Sequence, residues 1–283
     1  MTTQRLVAIY RRASFSPQDH LQNDRAILDL VVGNLMTRGW EALRIDEQDV
    51  EQGRIPHGDL FLNMCQGAVA SELLSPIESD QAVIINRPTA VLNCHRHHMV
   101  RRLTGSEVDF PRTVLVPSAG GVPATNVLGE LLDEEGMLWL KRGDVHAERT
   151  EDVLRLRSAE LGGALAGFFE RGIPWAALQR HVSGVVIKFY AIADRSFFRF
   201  YGAQSGPHAP APPVDEAALL RVAYAAAERL GLVVFGGDIA LPSPERPVLL
   251  DINDWPSFAP CRHEAAAAIG RFAHRTATGT DPA

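Results

Sequence analysis

Near the carboxyl end of this 283-residue chain, two apolar runs, LVVFGGDIAL (232–241) and PVLLDIND (247–254), stand on either side of the short turn PSPERP. Two strands joined so closely pair as an antiparallel hairpin. The first run carries Asp238 just after Gly236-Gly237. The second closes on Asp251, Ile252, Asn253 and Asp254 before it breaks at Trp255-Pro256. Alternation along a strand puts Asp251 and Asn253 on one face, and Ile252 and Asp254 on the other. Two oxygen ligands side by side suit a hard cation such as Mg²⁺. The same residue types also make an ordinary polar turn. In a hairpin the late end of one strand faces the early end of the next, so counting residues does not seat Asp238 beside Asp251. Only register decides that.

Upstream, LVAIY (6–10) reads as a short buried strand, and apolar residues at helical spacing predict a helix over 21–38 that stops at Gly39. Further strands are predicted at 41–46, 59–64 and 82–87, with a helix near 66–75. Strands alternating with helices make a small open α/β unit with a largely parallel sheet, ending about Arg87-Pro88. The middle reads differently. A polar helix over 94–104 leads into RTVLVP (112–117), a helix over 125–135 leads into MLWLKR (137–142), and a longer helix spans 150–171. Strands follow at 176–182, 185–194 and 196–202. The Pro-, Ala- and Gly-rich segment 203–215 reads as an exposed loop and candidate lid. A helix over 216–230 precedes the hairpin, and a last helix, 263–275, gives way to the frayed tail TATGTDPA. The class is α/β followed by α+β, with no internal repeat.

Composition narrows the function classes. Hydrophobic residues make up 46% and charged ones 22%, which fits a soluble globular protein with a proper core. A net charge of −6 argues against nucleic acid as a partner, so any anionic ligand needs a local basic pocket. Cys65, Cys94 and Cys261 are too few and too scattered for a disulfide framework or a CxxC metal pair. The amino terminus has too short an apolar stretch for a signal peptide, and no run is long enough to span a bilayer. The expectation is a cytoplasmic protein with no membrane partner, and an oligomer is compatible with the sequence.

Single cations interrupt three apolar or aromatic strands. Lys141 ends the stripe Met137, Trp139, Lys141, while Lys188 lies in VVIKFYAIAD and Arg199 in SFFRFYG. One such cation snorkels to solvent; three imply an anion on the sheet face, and a Lys serves a phosphate as a point charge. NCHRHHMVRR (93–102) groups three histidines with three arginines, and on a helix His95 and His98 share a face. Two helical histidines make a weak metal site, and a solvated or phosphate-facing helix accounts for them better. Ser14, Ser16 and Cys94 have no partner pattern for nucleophilic catalysis.

GGDIA followed a dozen residues later by DINDWPSF resembles the carboxyl-terminal signature of ATP-grasp enzymes, an acid on one strand and acid-x-Asn on the next, then Pro and an aromatic. The order of parts is similar too, and NRPTAVLNCHRHHMVRRLTGSEVDFPRT (86–113) resembles the segment of the peptide and amino-acid ligase branch in which a Lys-bearing helix precedes Pro-x-Thr. The resemblance covers nearly the whole chain. It implies an α/β domain over 1–88, an ATP-grasp domain over 89–276 in two subdomains (about 89–175 and 176–276), and a tail over 277–283. It further implies that Asp238, Asp251 and Asn253 hold Mg²⁺ (or Mn²⁺) on the phosphates of ATP, and that Lys141 and Arg96 contact those phosphates. Gln179, Arg180, His181 and Val182 would form the hinge that holds the adenine edge. Lys188 and Arg199 would clamp phosphate or acyl-phosphate charge as catalytic groups.

The chain also departs from the family pattern. Arg96 stands where a Lys is usual, the hinge reads Gln-Arg instead of Gln-Glu, and the ribose-gripping acid is not visible. RGDVHAERTED (142–152) replaces the glycine-rich phosphate loop with Asp144, His146 and Arg149. The implied activity is an ATP-dependent carboxylate–amine ligase acting on a small-molecule or peptide acid and an amine. The alternatives are a small-molecule kinase and a nucleotide-binding sensor or scaffold without turnover.

Overall fold

The computed structural model describes residues 4–15, 21–79, 82–203 and 212–280. Strand β1 (Arg5–Tyr10), helix α1 (Leu21–Met36), β2 (Glu41–Asp46), α2 (Glu47–Glu51), β3 (Leu60–Asn63), α3 (Ala68–Ser79) and β4 (Val83–Ile85) build a parallel sheet in the order β2-β1-β3-β4. The LVAIY run is wholly buried because β1 lies inside this sheet and is covered on both faces, as parallel strands usually are.

A pair of helices, α4 (Pro88–Cys94) and α5 (Arg96–Leu103), leads to β5 (Thr113–Pro117), α6 (Thr125–Gly129), β6 (Met137–Arg142), β7 (Val153–Arg157), α7 (Leu161–Glu170) and β8 (Trp175–Gln179). The four strands form a second, antiparallel sheet in the order β5-β8-β6-β7, with α7 packed on it through Leu165 and Phe168. The third sheet is also antiparallel. It comprises β9 (Val185–Ile192), β10 (Phe198–Gly202), β11 (Val234–Ser243) and β12 (Arg246–Asp254) in the order β10-β9-β11-β12, with α8 (Glu216–Leu230) before the hairpin and α9 (Arg262–Thr278) after it.

The first and third sheets share a core, in which Leu28, Val31 and Leu35 of α1 join Ala265, Ile269 and Ala273 of α9. Asn86 links the same two sheets: its buried amide donates to the Val234 carbonyl at 2.7 Å and accepts from the Val233 and Val234 N–H groups. No described helix is long and apolar enough to cross a membrane.

Several expectations are corrected. The predicted helix over 150–171 is a strand and then a helix, because Leu154 and Leu156 alternate with Arg155 and Arg157 at the period of a strand and pair with β6. The helix expected over 94–104 is α5 at Arg96–Leu103; Cys94 instead ends α4, and His95 between them has extended backbone angles and spends its Nε2 on the Gln66 carbonyl at 2.8 Å. His95 and His98 therefore share no helical face. The helix over 125–135 stops at Gly129, and Asp133 instead ties the turn into β6 by accepting from the Glu135 and Met137 N–H groups. The strand over 176–182 ends at Gln179. Helix α9 runs past the expected 275 to Thr278 and closes on Gly279 in the left-handed region. Ser16 and residues 204–211 of the expected loop lie outside the described residues.

Candidate functional site

Register settles the question that the hairpin raised. Asp238 of β11 sits directly opposite Asp251 of β12 and, on its other side, opposite Lys188 of β9. Opposed residues in an antiparallel ladder project to the same face with Cβ atoms ~5 Å apart. A β-bulge makes this alignment: Ile239 pairs with Leu249 while Asp238 pairs with Asp251, so Leu250 is the extra residue. Leu250 and Asp251 consequently both escape full burial, whereas Leu249 and Ile252 are wholly buried. Gly236 and Gly237 are required by this packing, since a Cβ at Gly237 would run into the Asp251 carbonyl and one at Gly236 into the Phe189 carbonyl. Trp255 ends the strand with φ at 37°, its N–H bonded to the Val234 carbonyl and its indole to the Ile85 carbonyl.

Cations converge on these acids. Lys188 Nζ lies 3.2 Å from Asp238 Oδ1. Arg96, buried at the start of α5, puts Nη2 at 3.2 Å from Asp251 Oδ2 and Nε at 2.9 Å from the Arg142 carbonyl. Lys141, also buried, points Nζ at the Leu250 carbonyl, 3.4 Å away. Burial together with the nearby Arg96 charge lowers the Lys141 pKa to about 8, against the pull of Asp251 and Asp238. The two acids diverge. Desolvation raises the pKa of Asp238 even though Lys188 opposes it. Asp251 is equally desolvated, but Arg96, Lys141 and His146 together outweigh burial and hold its carboxyl below the ordinary range.

Trp139, Lys141, residues 179–182, Lys188, Asp238 and Asp251 line one cavity of about 460 Å³. Val153, Val186 and Leu250 make its apolar wall. Gln179 donates from its amide to Thr113 Oγ1 at 3.1 Å, and Thr113 donates to the Pro111 carbonyl, which gives Pro-x-Thr its structural purpose. Arg180 donates its N–H to the Arg112 carbonyl and turns its side chain to solvent. His181 accepts the Trp139 indole N–H on Nδ1 at 3.1 Å, and burial lowers its pKa.

A second cavity of about 390 Å³ adjoins the first and shares Ala147, Lys188 and Asp238 with it. Arg11, Gln66, His146, Tyr190, Asn253 and Asp254 are among its walls. Asn253 thus lines the second cavity and not the first. Arg199 lines neither; its guanidinium pairs with Glu264 and lies over the Phe197 ring. His97 uses both its N–H and Nδ1 on the Gly143 carbonyl, fastening the segment after β6 instead of facing a ligand. Arg11 and Asp254 belong to the site region although the sequence does not single them out for it, and His146, from the segment that stands in place of the phosphate loop, joins them. Asp254 does face away from Asp251, but into the protein and not into an exposed turn. Its place directly after Asn253 was the only signal in the sequence.

Asp238 and Asp251, opposed in the ladder, offer oxygen donors of the kind a hard divalent cation takes, and Asn253 stands two residues further along β12. Lys188 and Arg96 occupy one carboxylate oxygen each, leaving lone pairs on both acids.

Two sheets meeting at a cleft lined by opposed acids and isolated cations, beside a parallel α/β sheet, make the ATP-grasp fold. The chain superposes on D-alanine–D-alanine ligase from Bacillus anthracis complexed with ATP at a TM-score of 0.71, with 13% identity over 99% of each chain. It matches a RimK domain ATP-grasp protein from Sphaerobacter thermophilus at 0.66, with 16% identity over 95% of this chain and 99% of that one. VanG D-Ala:D-Ser ligase from Enterococcus faecalis follows at 0.65, with 12% identity over 91% and 92%. No family model matches the chain, and no curated protein matches it in sequence.

Proposed function

We propose that the chain is an ATP-dependent carboxylate–amine ligase. The observation that carries this reading is that one cavity gathers Lys141, residues 179–182, Lys188, Asp238 and Asp251, and shares Lys188 and Asp238 with a second cavity. ATP lies in the first with its adenine edge on the main chain of residues 179–182 and its phosphates toward Arg96, Lys141 and Lys188. The acid substrate lies in the second. Residues 1–88 supply Arg11 and Gln66 to its wall, and residues 89–276 supply the nucleotide cavity. The fold and the ligases that share it are consistent with this assignment.

In the first step a carboxylate oxygen of the acid attacks the γ-phosphorus. The bond to the β–γ bridging oxygen breaks, and ADP leaves with the electron pair. In the second, the amine nitrogen attacks the acyl carbon, the acyl–phosphate C–O bond breaks, phosphate departs, and the amine loses a proton to solvent. No side-chain nucleophile is needed, since positioning and charge stabilisation carry phosphoryl transfer. Lys188 sits where the two cavities join and balances charge on the transferring group. Asp238, Asp251 and Asn253 would hold Mg²⁺, or Mn²⁺, which neutralises phosphate charge when bound. Arg199 holds Glu264, so its role rests on the family resemblance alone.

The test is ADP release by the full chain with Mg·ATP, across a panel of amino acids and short peptides, with and without an amine. Release that requires both an acid and an amine, with amide formed, is the expected result. Release with a phosphorylated acid as the final product identifies a kinase. Mg·ATP binding without release under every pairing identifies a sensor.

A further inference from the structure

The face of β12 turned away from Asp251 carries a second cluster. Asp254 is 1% exposed, and among the described residues neither of its carboxylate oxygens meets a hydrogen-bond donor. His146 Nε2 lies 3.6 Å from Asp254 Oδ1 and is likewise buried without a hydrogen-bond partner. The thiol of Cys94, the last residue of α4 and wholly buried, completes the group. One ligand atom from each of the three lies within 4.8 Å of the other two.

An ionised carboxylate in the interior without a donor costs several kcal/mol. Arg11 does not relieve it, because Nη1 pairs with Asp24 and Nη2 reaches the main-chain carbonyls of Asp254 and Trp255. A cation among the three residues would satisfy the carboxylate and the imidazole nitrogen together. Sulfur, imidazole nitrogen and carboxylate oxygen are the donors that zinc-class ions select, whereas Mg²⁺ selects oxygen alone.

We propose that Cys94, His146 and Asp254 bind a divalent transition-metal ion of the zinc class. Three protein ligands leave a fourth position open. His146 and Asp254 both line the 390 Å³ cavity, so that position takes water or a donor atom from whatever fills the cavity. The ion ties together α4, the segment after β6 and the end of β12. Its binding releases the thiol proton to solvent.

Cobalt(II) reports such a site through a thiolate-to-metal absorption band. The full chain, stripped with a chelator and kept free of nucleotide, is titrated with Co²⁺ and then with Zn²⁺, so the outcome does not depend on ATP chemistry. The expected result is one Co²⁺ per chain with the thiolate band, displacement by Zn²⁺, persistence in excess Mg²⁺, and a Zn²⁺-dependent rise in Tm. Cys94→Ser should abolish the band. His146→Ala, on a partly exposed segment, should weaken Co²⁺ binding by more than the roughly 10–100-fold that loss of an outer-shell partner costs. Binding without the thiolate band, no binding, or an equal rise in Tm for the wild type and Cys94→Ser would each overturn the proposal.

Discussion

The two walls of the proposed nucleotide cavity are built on different principles. Its floor is the β9-β11-β12 ladder, in which Lys188, Asp238 and Asp251 stand in line because main-chain register puts them there. Its roof is β6 and the segment 142–152. There a single side chain organises the loop: Arg142 pairs with Asp144 at 2.6 Å and Glu148 at 2.5 Å, with Asp152 at 3.7 Å. Buried Asp152 in turn accepts from two main-chain N–H groups and pairs with Arg171. A floor set by a ladder keeps its geometry when one side chain changes. A roof set by ion pairs does not, and salt reaches it. The floor should therefore respond to mutation in its chemistry, and the roof in its conformation.

Asp251→Ala is the largest expected effect. Losing a metal-ligating carboxylate should lower ADP release at least about a hundredfold, the scale of removing one electrostatic stabiliser from an active site. The same change strands buried Arg96, at a cost on the order of 3 kcal/mol. Asp251→Asn separates the two, because it keeps an acceptor for Arg96 while weakening the metal. Calorimetry of Mg·ATP binding checks the assignment, and unchanged affinity in both variants would remove Asp251 from the site.

Lys141 gives a test in pH. Its folded pKa of about 8 lies below the ordinary lysine value. The unfolded chain therefore holds the extra proton between about pH 8 and 10.5, and stability attributable to this group rises with pH across that window. The gain, on the order of 3 kcal/mol, is read as wild type minus Lys141→Met in denaturant titrations. ATP affinity should move the other way, falling as pH passes 8 because the neutral amine no longer meets phosphate. Lys141→Arg should flatten that profile. Stability and affinity changing with the same sign would place Lys141 outside the phosphate site.

Legibility in the sequence follows the same division. LVAIY is legible as an unbroken apolar run because both its faces are covered, and the stripe Trp139–Lys141 because a strand with one covered face imposes a period on neighbouring residues. VLRLR fits both periods, since two leucines spaced by arginines also suit a helix in a wide window, and pairing with β6 decides for the strand. The bulge at Leu250 was not readable: nothing local marks it, yet it seats Asp251 against Asp238. The meeting of Cys94, His146 and Asp254 was hidden for a related reason, as three separate segments supply one residue each.

Arg142→Gln tests the roof and should act at middle strength. It leaves Asp144 and Glu148 without their cation but keeps the Asp152–Arg171 pair, so a loss of about 1–2 kcal/mol is expected. KM for ATP should rise roughly tenfold with a smaller change in kcat, the pattern of lost ground-state positioning. Limited proteolysis should cut within 142–152 sooner than in the wild type. Intact protection with raised KM would mean that Arg142 touches the nucleotide directly.

The smallest effect belongs to Arg199, and it decides how far the floor extends. Lys188 lines both cavities, so Lys188→Met should slow turnover by about ten- to a hundredfold. Arg199 occupies the neighbouring strand but spends its charge on Glu264, and both side chains are about half exposed. Such a pair contributes about 0.2–1 kcal/mol, so Arg199→Ala should barely move Tm. Turnover should stay within about twofold, as for other surface replacements. The ratio of the two kcat/KM losses is the measurement. If Arg199→Ala matched Lys188→Met, the guanidinium would have to leave Glu264 during the reaction, and the cationic floor would continue from β9 onto β10. If it did not, the cationic floor ends at β9 with Lys188, the lysine that lines both cavities.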